Sequence, residues 1–209
     1  MKTIFFVRHG LTEGNEQNVY QFPTTPLSEI GFQQAQVVAE RFKTIPLDKI
    51  LASDYVRAVQ TASVIHHALQ VPMESSPLFQ EVHRPGFIRG KTKDDPETKV
   101  IMQQLKEHFA DPNWHHSDEE NFYDLKQRAL EAVSFLSAQS EERLLVVTHG
   151  FILRMMLAVM LFGDSLTPDM YAKMNTFFVT KNTGITMIQE DNGVFSLLTW
   201  NDHVHLGEF

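Results

Sequence analysis

The sequence predicts an α/β fold: a three-layer sandwich with a mostly parallel sheet flanked by helices. Two observations carry this expectation. Short apolar strands alternate with stretches of helical apolar periodicity, twice over at the start of the chain, and a later, still more apolar strand runs straight into another helix.

Lys2 to Val7 reads as a short buried strand. Ser28 is a good N-cap for a helix carrying Phe32, Ala35, Val38, Ala39 and Phe42 on one face. Asp48 to Ser53 gives a second strand, and Asp54 to about Gln70 a second helix with Val59, Ala62, Ile65 and Leu69 as its apolar stripe. The middle is helical, from Pro96 to Phe109 and from Glu119 to Gln139, the latter start marked by a capping box of Ser117 and Glu120. The segment 94–139 is expected to form a cap or flank on a single domain spanning 1–209. Arg143 to Thr148 is the most apolar strand, and His149-Gly150 leads into a helix from Phe151 to Phe162. Thr167-Pro168 opens another short helix. Two last strands, about Gly184 to Glu190 and Val194 to Trp200, are joined by Asp191-Asn192-Gly193, a hairpin signal.

Composition narrows the function. With 209 residues, 43% of them hydrophobic, the chain can build one real core. No apolar run approaches the ~18 residues of a membrane span, and Arg8 comes too early for a signal peptide, so a cytoplasmic protein is expected. The absence of cysteine removes disulfides, thiolate nucleophiles and cysteine metal sites. A net charge of −8 argues against nucleic-acid or anionic-membrane partners but leaves room for a compact cationic pocket.

In a parallel sheet, ligands sit beyond the carboxyl ends of the strands, which directs attention to Arg8-His9-Gly10, Ser53-Asp54 and Thr148-His149-Gly150. Arg8 and His9 would point to opposite faces of a regular strand, so both serve one site only if the chain leaves the strand there, as Gly10 permits. Arg57 lies one turn into the following helix, where a guanidinium is unfavourable unless an anion shares the site. Taken singly, each has a bland reading as a core histidine or a surface arginine; their joint placement points to an oxyanion pocket. His66-His67 and His115-His116 are adjacent pairs rather than the i, i+4 spacing of a helical metal site, and His203 with His205 is a weak pair, so no metal and no cofactor is expected.

Here the residues become specific. Arg8-His9-Gly10-Leu11-Thr12-Glu13-Gly14-Asn15, followed by Pro26-Leu27-Ser28-Glu29-Ile30-Gly31, resembles the signature of the histidine phosphatase superfamily, the phosphoglycerate mutase-like proteins. Ser53 to Ala62 resembles its second-strand motif with a phosphate-binding arginine, and Val147-Thr148-His149-Gly150 its second-histidine motif. The resemblance implies that His9 is the nucleophile and that Arg8, Arg57 and His149 hold the phosphoryl oxygens. Asn15, Gln21, Thr12 and Gly150 would be substrate-binding. Glu81 matches the acid/base carboxylate, although the aromatic and glycine context after it is altered, and on composition alone it reads as a solvated loop acid. The implied activity is a metal-independent phosphomonoesterase acting on a small-molecule phosphate ester through phosphohistidine.

A neutral imidazole suits that chemistry as a nucleophile, and arginine forks suit a spread phosphoryl charge without a metal. A cofactor-dependent phosphoglycerate mutase uses the same residues. Gly14, where mutases carry tryptophan, and Phe151-Ile152 after His149-Gly150 favour hydrolysis. An inactive phospho-ligand-binding module stands as a third reading. The basic loop 83–93 is either a second anion contact or merely solvated, and neither substrate nor oligomeric state is legible.

Overall fold

A computed structural model describes residues 1–207. The chain opens with β1 (Lys2–Arg8), a single helical turn α1 (Glu13–Glu16) and α2 (Glu29–Phe42), followed by β2 (Lys49–Ala52), α3 (Val56–Leu69) and a short β3 (Met73–Ser75). Then come α4 (Pro96–Glu107), α5 (Phe122–Ser137), β4 (Arg143–Thr148), α6 (Gly150–Phe162), α7 (Pro168–Phe177) and the hairpin β5 (Ile185–Asp191) with β6 (Val194–Asp202).

The six strands form one sheet in the order β3-β2-β4-β1-β5-β6. β3, β2, β4 and β1 are parallel, and β5 and β6 add antiparallel to the β1 edge. Strand alternation sorts the apolar residues onto two faces. Ile4 and Phe6, with Leu144 and Val146, pack against Leu125, Ala129 and Ala132 of α5 and Ile152, Met155 and Met156 of α6. Phe5 and Val7, with Leu145 and Val147, pack against Val38, Ala39 and Phe42 of α2 and Ala58, Ala62 and Ile65 of α3. A strand buried on both faces must be apolar at successive positions, which is why β1 and β4 read as continuous runs. Among the described residues, no helix is long and apolar enough to cross a membrane.

The register sets the site. Arg8 lies opposite Thr148, and Ala52 opposite Val147, so β1, β2 and β4 end level at one edge of the sheet.

Four local expectations need correction. The α5 helix begins after Asn121, whose side chain accepts from the Tyr123 and Asp124 amides while Asp124 reaches back to the Asn121 amide; the capping box is Asn121 with Asp124, not Ser117 with Glu120. Glu120 is drawn away by Arg128 and by the His83 amide. Phe32 is 38% exposed, because the buried line of α2 runs through Gly31, Ala35, Val38 and Phe42. Val59 is likewise half-buried, the buried line of α3 passing through Ala58, Thr61, Ala62 and Ile65. The short β3 was not anticipated: it has only 3 residues, follows Pro72, and has two exposed side chains, so it carries neither alternation nor an apolar run.

Candidate active site

The loop leaving β1 is fixed by backbone contacts before any side chain is considered. The His9 amide continues the ladder to the Thr148 carbonyl (2.9 Å), and the Gly10 amide donates to Thr61 Oγ1 (3.0 Å) on α3. The chain then passes against the start of α2 so closely that a Cβ on Gly10 would lie 2.5 Å from the Gly31 carbonyl oxygen, and a Cβ on Gly31 1.9 Å from that of Leu11. Two hydrogens in place of side chains allow this crossing. It turns Arg8 and His9 into one cavity, as a straight strand would not.

His9 is 3% exposed and His149 fully buried, their rings 5.0 Å apart between centroids. His9 Nδ1 is 2.7 Å from the Gly10 carbonyl oxygen, an acceptor only, so Nδ1 carries the proton and Nε2 keeps its lone pair. Burial first, then the nearby Arg57 and Arg8 guanidinium groups, hold the His9 pKa well below its ordinary 6.5. His9 is therefore neutral at pH 7 with one nitrogen available. His149 Nε2 lies 2.8 Å from Ser53 Oγ, and burial, Arg57 and His9 depress its pKa in the same way.

Arg57, a surface residue on the bland reading, is 4% exposed. Its Nη1 donates to the Phe22 carbonyl (3.1 Å), and its guanidinium lies 5.0 Å from the Tyr55 ring centre. Arg8 Nη1 donates to the Thr180 carbonyl (2.8 Å). Burial lowers both arginines, Arg57 to about 10, while Glu81 acts in the opposite direction on each. Three buried nitrogens here, Arg8 Nε, Arg57 Nε and His149 Nδ1, have no hydrogen-bond partner among the described residues. Unsatisfied buried polar groups cost ~1–3 kcal/mol each, so the two arginine nitrogens, which can only donate, suit acceptor oxygens.

Glu81 lies on the same cavity wall. Its carboxylate accepts from its neighbour's Val82 amide (2.9 Å) and from the amides of Phe151 (3.1 Å) and Ile152 (3.2 Å) in the first turn of α6, a placement favoured by the helix dipole. It is a docked acid, not a solvated one.

Sequence reasoning missed what holds that loop. Arg128 of α5 makes a two-pronged pair with Glu120 (2.6 and 2.7 Å) and donates onward to the carbonyls of Leu78 (3.2 Å), Gln80 (2.8 Å) and Glu81 (3.4 Å). A bidentate arginine fork thus fastens the Glu81 backbone to a core helix. Arginine and glutamate eight residues apart straddle a helix start, so no i, i+4 signal announced them.

Asn15, Gln21 and Gly150 line the cavity. Thr12 does not: it is fully buried and its hydroxyl caps α1 by accepting from the Asn15 amide. Glu13, a carboxylate in the segment after His9, is exposed and off the wall. His66 and His67 sit beside the carbonyls of Val71 and Ser63, His115 pairs with Asp124, and His205 lies beside Thr183. Among the described residues, no group of three or more metal-ligating side chains stands together.

The cavity, about 420 Å³, is the size of a small-metabolite site. Residues 4–203 match the family model "Histidine phosphatase superfamily (branch 1)". A probable phosphoglycerate mutase from Proteus mirabilis is 29% identical over 163 residues, 77% of this chain and 75% of that protein. An adenosylcobalamin/alpha-ribazole phosphatase from Salmonella typhimurium is 28% identical over 164 residues, 76% of this chain and 79% of that protein. Among solved structures, YhfR from Bacillus stearothermophilus superposes with a TM-score of 0.83 at 28% identity, covering 99% of this chain and 100% of that one. The match runs from β1 to the end of β6 and encloses every strand end that builds the cavity, so the chain belongs to the histidine phosphatase superfamily and is an enzyme of its phosphomonoester chemistry, acting on a small phosphorylated substrate.

Proposed function

We propose that this protein hydrolyses a small phosphate monoester in two displacements, with His9 as nucleophile, Arg8, Arg57 and His149 as the phosphoryl cradle, and Glu81 as acid and base. The observation that carries the assignment is the set of orphaned donors around a neutral imidazole. Arg8 Nε, Arg57 Nε and a protonated His149 Nδ1 supply fixed positive dipoles and charge where the equatorial oxygens gather negative charge. His9 Nε2 attacks phosphorus as the ester P–O bond breaks, and Glu81 passes its proton to the departing alkoxide. Glu81, now a carboxylate, takes a proton from water; the water oxygen bonds to phosphorus, the N–P bond breaks, and His9 returns neutral.

Hydrolysis is favoured over transfer to a sugar-acid acceptor by the surroundings of Asn15. A Cβ at Gly14 would lie 2.6 Å from Gln21 Cγ and 3.3 Å from Val19 Cγ2, so a tryptophan there would have to displace the Gln21 side chain from the cavity wall. In this reading Asn15, Gln21 and Gly150 contact substrate, residues 1–209 work as one domain with 94–139 as its flank, and the protein is cytoplasmic. The cationic side chains also make a metal unnecessary, so exhaustive chelation should leave the rate unchanged.

Rapid quenching during turnover of p-nitrophenyl phosphate should trap acid-labile phosphate on His9. The His9→Ala protein should lose both label and turnover. Normal turnover by that variant would sink the mechanism, and isomerisation of 3-phosphoglycerate outpacing phosphate release would make the mutase the better description.

A further inference from the structure

We propose that the cavity contains a second anion subsite, formed by Arg84 and Arg154 about the ring of Phe151, and that the substrate's alcohol portion carries its own carboxylate or phosphate. The inference rests on the phosphatase reading above and names the substrate class for the same site.

Charge balance raises the question. Arg8, Arg57, Arg84, Arg89, Lys93 and Arg154 all line the cavity, and among the described residues Glu81 is the acidic side chain on its wall. A phosphoryl dianion held by Arg8 and Arg57 leaves the other cations uncompensated. Elsewhere the arginines are neutralised locally: Arg41 by Asp202, Arg128 by Glu120, Arg143 by Asp48. Arg84 is different. Among the described residues its guanidinium makes no hydrogen bond and no ion pair; it rests 5.1 Å from the Phe151 ring centre.

Arg154 lies 5.7 Å from the same ring centre and is fixed by two neutral acceptors, Asn175 Oδ1 (2.7 Å) and Thr180 Oγ1 (3.1 Å). An arginine held against an aromatic ring keeps N–H groups free to meet a carboxylate or phosphate, already oriented. Arg89 donates to the Arg84 carbonyl (3.4 Å), which braces the backbone at this position. Burial lowers the Arg84 pKa, with Glu81 opposing, so its charge is partly desolvated and strongly felt by an incoming anion.

Position ties the subsite to the leaving group. The Phe151 amide donates to Glu81, so the ring begins where the protonated alcohol must depart. An ester placed with phosphorus at His9 and its bridging oxygen at Glu81 carries the rest of the alcohol across Phe151, toward Arg84.

The test compares kcat/KM for 3-phosphoglycerate, propane-1,3-diol bisphosphate and glycerol 3-phosphate, the last lacking a second charge. Wild-type protein should prefer at least one of the first two over glycerol 3-phosphate by roughly tenfold or more, as expected for a hydrogen-bonded charge pair. Whichever is preferred identifies carboxylate or phosphate. Arg84→Gln should lose about ten times more on that ester than on glycerol 3-phosphate, and Arg84→Lys, which keeps charge but not the fork, should lie between. Equal losses on the esters with and without a second charge, or no wild-type preference, would overturn the subsite. Turnover of p-nitrophenyl phosphate keeps the two readings apart: if it fails, the phosphatase reading falls. Calorimetric binding of the same three esters to the His9→Ala protein, with and without Arg84→Gln, still reads the subsite through the same affinity ratio.

Discussion

The tautomer of His149 depends on a single hydroxyl. Ser53 Oγ accepts from the Tyr55 amide (3.2 Å) and lies 2.8 Å from His149 Nε2, so its own proton can be directed at that nitrogen. A neutral imidazole that accepts at Nε2 must carry its proton on Nδ1, a buried atom with no hydrogen-bond partner among the described residues. Ser53 is thus a positioning residue, acting through His149. Ser53→Ala should lower kcat/KM by roughly 10- to 100-fold, the value of one hydrogen bond to a charged group, and Ser53→Thr should restore most of it. The distinguishing readout is nitrogen NMR of the His149 ring, where the proton should move between Nδ1 and Nε2 in the alanine variant. An unchanged tautomer with lost activity would reduce Ser53 to packing.

At the scale of one element, the start of α5 matters because Arg128 on that helix clamps the Glu81 loop. Asn121 and Asp124 satisfy the first free amides of the helix, and Asn121 Nδ2 also donates to the Asp111 carbonyl (3.3 Å). Asn121→Ala should therefore destabilise the protein by ~1 kcal/mol. Ser117→Ala, at the position the sequence pattern favoured, should cost less than ~0.5 kcal/mol, as for an ordinary surface change. Denaturant midpoints for the two variants decide between the caps; the reverse order would return the helix start to Ser117. The pattern misled because Ser117 and Glu120 have the right letters and spacing, while a distant partner, Arg128, had already engaged the glutamate.

For the whole molecule, the buried histidines make stability depend on pH. The pKa values of His9 and His149 are depressed chiefly by burial, and those of His83 and His205 move the same way. Below the ordinary 6.5 the unfolded chain binds protons that the native state refuses, so stability is full above that pH and falls as pH drops through and below it. Each such group contributes a slope of at most ~1.4 kcal/mol per pH unit. Chemical denaturation between pH 7.5 and 5.5 should show the decline, and His149→Gln should flatten it by about one proton. A flat wild-type curve would mean that these imidazoles titrate normally in the folded state.

What the sequence determined by itself was local and periodic: strands apolar at successive positions, helices with a repeating stripe, and three motifs at predicted strand ends. These fix the layers, and with the parallel order they bring His9, His149, Arg8 and Arg57 to one edge, because a sheet has only one carboxyl end for strands of one direction. The tertiary structure alone decided what those residues experience. That Arg57 is buried against the Phe22 carbonyl, that Glu81 docks on the first turn of α6 and that Arg84 stands unpaired beside Phe151 all depend on contacts between segments 35 to 70 residues apart. Such contacts leave no periodic trace in a sequence, since periodicity records which face of an element is buried and not which group waits on the other side.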